Sequence, residues 1–167
     1  MIRFIEANEE ATNIMDSIID EHFPELKDAT IKILFDTKKR TYGDKIVLGR
    51  MSSTNDLVRR LTDDLSEEGC DYVMYLDQIA FENIPEKDKI RLIRHELRHC
   101  RVTVGSESIK YGIIPHDIED FAQEVKLNSD DVDWAKRAVA LASDIYAQME
   151  EDAKEKKQVR KLNRRNV

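Results

Sequence analysis

The run His95-Glu96-Leu97-Arg98-His99 constrains this chain more than any other stretch of it. Successive residues of an α-helix turn by about 100°, so positions four apart lie nearly over one another. His95 and His99 then share one edge, and two imidazoles at that spacing reach a single metal ion at about 2.0–2.1 Å without bending the backbone. Glu96 lies beside them, placed to act on the metal's water rather than to bind the metal. The surrounding residues predict a helix that opens at Pro85, capped by Asn83 or Ile84, and runs to about Val104. Along it Ile90, Ile93, Leu97, Cys100 and Val104 form an apolar face opposite the His edge, and Arg91, Arg94, Arg98 and Arg101 form a third, cationic stripe.

A zinc site needs a third protein ligand, and the chain has only four histidines. His22, beside Phe23-Pro24, reads as an ordinary histidine at a helix C-terminus. His116 is the better candidate. It stands 17 positions beyond His99, after a return containing Gly105 and Gly112, in the run Pro115-His116-Asp117-Ile118-Glu119-Asp120-Phe121. Asp117 and Asp120 remain alternatives, since carboxylate and imidazole both suit Zn2+. With two cysteines, Cys70 and Cys100, a thiolate site has little material, and a reducing compartment is expected.

Elsewhere the pattern predicts an α+β fold. Ala11, Ile14, Met15, Ile18 and Ile19 give residues 7–22 the stripe of an amphipathic helix. Residues 30–35 read as a strand, Tyr42-Gly43-Asp44 as a turn and 45–51 as a second strand, together a hairpin. A helix is expected over 54–68, with Leu57, Val58, Leu61 and Leu65 on one side, and a third strand over 71–76. The His helix follows, packed on this three-stranded sheet. A β-prone piece at 108–114, a helix near 117–127 and a long final helix at about 130–157 complete the chain. Val132, Ala135, Val139, Leu141, Ala142, Ile145 and Met149 are its expected inner side. The divisions are thus 1–129 for the main domain, 130–157 for a helix packed on it and 158–167 for a flexible basic tail.

Charge is distributed unevenly. Residues 154–167 carry seven Lys or Arg against Glu155 alone, which leaves about −13 on the rest of a chain whose net charge is −7. Such an acidic body argues against nucleic-acid binding except through the tail. No apolar run is long enough to span a bilayer, and Met-Ile-Arg-Phe-Ile-Glu is unlike an export signal, so membrane association is not expected.

The strand and Leu76-Asp77-Gln78-Ile79-Ala80-Phe81 ahead of the His95-Glu96-x-x-His99 helix, with the block from Pro115 to Phe121, resemble the phage metallopeptidases, relatives of the SprT-like zinc peptidases. The resemblance spans roughly residues 5–127. It implies a minimal zincin-like fold and a cytoplasmic setting in a bacterial host cell. Arg98, between Glu96 and the second His, departs from the uncharged residues usual there. The expected activity is hydrolysis of a protein or peptide substrate, with His95, His99 and His116 on zinc and Glu96 as the catalytic base. The substrate would lie along the strand ending near Leu76, and Tyr111 or the Arg stripe would stabilise the oxyanion. The competing expectation is a zinc-stabilised binding or inhibitory protein without catalysis. Residues 130–167 lie outside the resemblance, and neither substrate nor oligomeric state follows from it.

Overall fold

A computed structural model describes residues 2–106, 108–116 and 122–165, with the side chains of 122, 125 and 158–165 excepted. In chain order the elements are β1 (Phe4–Glu6), α1 (Glu9–His22), β2 (Ile31–Asp36), β3 (Thr41–Tyr42), β4 (Lys45–Ile46), β5 (Gly49–Ser53), α2 (Asp56–Leu61), β6 (Tyr72–Asp77), α3 (Gln78–Asn83), α4 (Glu86–Arg98), β7 (Cys100–Val104), β8 (Ile109–Ile113), α5 (Ala122–Leu127) and α6 (Trp134–Arg165). The architecture is α+β. None of the described helices is long and apolar enough to cross a membrane.

The main sheet has four strands in the order β1-β2-β6-β5 rather than three, and two further two-stranded sheets, β3-β4 and β7-β8, accompany it. β6 lies inside the sheet with its Tyr72, Met74 and Leu76 face fully buried in the core, while Val73 and Tyr75 on the opposite face are half-buried. It runs parallel to β2, pairing Ile31 with Tyr72 and Phe35 with Leu76. β5 lies antiparallel along its other side, Gly49 opposite Leu76 and Ser53 opposite Tyr72. The expected hairpin of β2 with residues 45–51 therefore does not form. Tyr42 to Lys45 instead make a small hairpin of their own, with Gly43 at φ +59°. β1, three residues long, extends the sheet antiparallel to β2.

Asn8 caps α1 by accepting from the Ala11 amide at 3.0 Å, and Ala11, Met15, Ile18 and Ile19 bury against the core as their spacing requires. α1 packs on α4, whose Leu92, Ile93 and Leu97 complete that side of the core. Asp77 ends β6 and caps α3 through the Ala80 amide at 2.8 Å. α2 is shorter than expected, and its Leu57 and Leu61 are exposed. The buried stripe of α6 is Trp134, Ala138, Ala142 and Tyr146; of the expected inner residues only Ala142 belongs to it, and Val132 and Met149 face solvent. Tyr146 donates to Asp77 at 2.7 Å and so ties α6 to the end of the central strand.

Helix α4 stops at Arg98, with His99 as its C-cap, and does not continue to Val104. Cys100-Arg101-Val102-Thr103-Val104 has apolar spacing that a helix could use, but its β-branched residues pair instead with Ile109–Ile113. Cys100 and Val104 thus belong to a hairpin, and Val104 is exposed.

Candidate metal centre and active site

That hairpin explains how His116 reaches the helix. Tyr72 on β6 directs its hydroxyl at the Arg101 and Gly112 carbonyls, 2.8 and 3.1 Å away, which anchors both strands of the hairpin to the central sheet. Beyond β8 the Ile114 amide donates to the His99 carbonyl, and the His99 Nδ1–H donates to the Ile114 carbonyl, each at 2.7 Å. Pro115 and His116 come next, so the returning chain is clamped to His99 two residues before the third imidazole.

The three rings converge. His95 Nε2 and His116 Nε2 are 3.0 Å apart, and one ligand atom from each of His95, His99 and His116 lies within 4.8 Å of the others. Two nitrogens about 2.0–2.1 Å from one tetrahedral ion stand about 3.3 Å apart, so the spacing fits a shared metal. Because the Ile114 carbonyl can only accept, the His99 proton sits on Nδ1 and Nε2 keeps its lone pair for the cluster. His95 and His99 are half-buried and His116 exposed, leaving one side of the cluster open to the cleft. His22 ends α1 as expected and takes no part. Asp117 and Asp120 lie outside the described residues.

Glu96 is buried under β5. Its Oε2 is the one buried side-chain oxygen or nitrogen without a hydrogen-bond partner among the described residues. Desolvation pushes its carboxyl up to about 7, against the opposing pull of the His95 charge and the Met51 amide. Room for it comes from Gly49: a Cβ there would stand 2.6 Å from Glu96 Oε1 and 2.9 Å from Cδ. The sequence reading passed over Gly49, although a glycine inside a strand is a recognised signal of close approach.

A cavity of about 630 Å³ runs between β5 residues Gly49–Ser53, the residues His95, Glu96 and His99, and the segment Ile113–His116. One side of β5 pairs with β6, and the other faces this cleft. β6, the strand along which the substrate was expected to lie, is interior. Tyr111 lies outside the cleft, half-buried edge-to-face on Tyr72 with the Arg59 guanidinium over its ring, and is a packing residue. The Arg stripe does not form one cationic face: Arg101 is exposed on β7, whereas Arg91 and Arg94 are buried and Arg98 is half-buried. The single Nε–H of Arg94 is shared between the two Glu124 oxygens at 2.9 and 3.0 Å, its Nη2 donates to Asn128 at 2.8 Å, and Arg98 donates to Glu124 at 3.3 Å. Arg91 is engaged by Asp88, Asp130 and Asp131.

A family model described as "Putative phage metallopeptidase" matches residues 2–156, nearly the whole chain. The chain belongs to the phage metallopeptidase family. Its name implies a metal, and the three converging imidazoles of this phage metallopeptidase are the described residues that could hold one. The match runs past α5 into α6, beyond the stretch to which the resemblance extended. No curated protein and no solved structure matches the chain.

Proposed function

We propose that the protein is a zinc peptidase in which His95, His99 and His116 hold the metal and Glu96 is the general base, built on a zincin-like pairing of α4 with the edge strand β5. The observation that carries this reading is the joint placement of three converging imidazoles and a buried carboxylate with one unpaired oxygen along one open strand edge. A structural metal site needs no such base and no open side.

When bound, zinc supplies a Lewis acid that polarises the scissile carbonyl and makes water easier to deprotonate. The remaining work belongs to the chain. An extended peptide adds to the free edge of β5 through main-chain hydrogen bonds, which holds the scissile bond over the helix whatever its side chains. Glu96 takes a proton from the attacking water through Oε2 and returns it to the leaving amine nitrogen. His99 keeps its donor nitrogen in one tautomer through Ile114. Free Cys70 and Cys100 suit a reducing cytoplasm, and the family's description suits a phage-infected bacterial cell.

Glu96→Gln tests the reading. The variant is expected to bind zinc with the wild-type stoichiometry and to lose hydrolysis of a mixed peptide library by at least a hundredfold. Undiminished hydrolysis would sink the mechanism. Zinc binding by the wild type with no cleavage of any peptide would support a binding module instead.

A further inference from the structure

A second cavity, of about 550 Å³, shares Gly49, His95, Glu96 and His116 with the first. Away from that shared boundary its walls are mostly apolar. Ile46 and Leu48 come from the segment leading into β5, Leu92 stands one helical turn before Glu96, and Trp134, Ala135 and Val139 come from α6. Ile46, Leu48, Leu92 and Trp134 are themselves buried and so form fixed surfaces, while exposed Tyr42 and Lys45 stand at the rim. Among the described residues, Glu96 is the one carboxylate that lines it.

We infer that this cavity is a specificity pocket for a large apolar side chain, such as leucine or phenylalanine, on the residue flanking the scissile bond at the Gly49 end of the cleft. The inference rests on the proposed peptidase reading and names its substrate class. Continuity carries it: Gly49 terminates the free edge of β5 and lines both cavities, so a chain laid along that edge passes directly from one into the other. The chemistry of the walls selects the guest. A charged or amide side chain would leave its polar groups unpaired against Leu92, Ile46, Leu48 and Val139, whereas an apolar one removes both surfaces from water. A cavity of this size and lining is typical of small-ligand sites. The pocket also gives α6 a role beyond the core, because Ala135 and Val139, one helical turn apart, form one of its walls.

Binding to the zinc-loaded full chain can be measured calorimetrically with two probes, N-blocked leucine hydroxamate and N-blocked glycine hydroxamate. The leucine probe is expected to bind at least tenfold tighter. Val139→Trp, which narrows the pocket, is expected to reduce that preference below twofold while zinc content and affinity for the glycine probe stay unchanged. Ala135→Leu narrows the same wall with a smaller change and is expected to lower the preference severalfold, which keeps the test decisive if the tryptophan variant does not fold. Equal binding of the two probes by the wild type would overturn the pocket, as would an undiminished preference in the variants. A chain that binds no zinc would overturn the metal-site reading beneath it, and one that binds zinc but neither probe would overturn the peptidase reading of that site.

Discussion

Glu96 and Gly49 form a matched pair across α4 and β5. Any side chain at 49 must displace the carboxylate, since even a methyl carbon would approach Glu96 Oε1 to 2.6 Å. Gly49→Ala is therefore expected to lower kcat at least tenfold while zinc affinity stays within about twofold, which parallel turnover and metal-titration measurements would resolve. The burial of Glu96 also has a thermodynamic signature in the metal-free chain. Its folded carboxyl titrates at about 7 against an ordinary 4.5, so the folded state holds a proton that the unfolded state has released. The stability this group contributes is fully present below pH 4.5, falls as pH rises to about 7 and is flat above. At ~1.4 kcal/mol per unit the fall amounts to about 3 kcal/mol. Urea unfolding of wild type and Glu96→Gln across pH 4.5–8 checks it: the difference between the two should carry that slope. Parallel curves would contradict it.

The elements that position the site divide by how strongly their sequence specified them. Ala11, Met15, Ile18 and Ile19 in α1, and Tyr72, Met74 and Leu76 in β6, carry unambiguous periodicity, and these elements stand where that periodicity put them. His95 and Glu96 were legible as helix for the same reason. Cys100–Val104 was not, because its apolar spacing fits helix and strand alike and only pairing with Ile109–Ile113 decides between them. Arg91, Arg94 and Arg98 looked like a cationic surface because their partners Glu124, Asp130 and Asp131 lie 26 to 40 residues away. Two substitutions test these distant ties. Tyr72→Phe removes the hydroxyl that holds both strands of the β7–β8 hairpin, and should cost about 1–2 kcal/mol in urea unfolding and weaken zinc binding severalfold. Glu124→Gln leaves Arg94 buried without its counter-charge. Breaking a buried pair in this way should cost about 3–5 kcal/mol, a loss too large to mistake for a surface effect.

At the scale of the whole molecule, metal and fold are coupled. His95 and His99 belong to α4 and its cap, His116 to the segment beyond β8, and Tyr146 locks α6 onto the strand that precedes α3 and α4. A metal joining the first two of these segments stabilises the native state by mass action, about 2.7 kcal/mol at a hundredfold excess over Kd. Calorimetry should register a rise in Tm of about 5–10 °C on adding zinc, reversed by chelator and absent in His116→Ala. The most direct test of the central claim is an anomalous difference map, recorded across the zinc edge, from a crystal grown with zinc. A single strong peak bonded to Nε2 of His95, His99 and His116, with Glu96 nearby but outside bonding distance, is the result predicted. A peak elsewhere, or one bonded directly to Glu96, would contradict it.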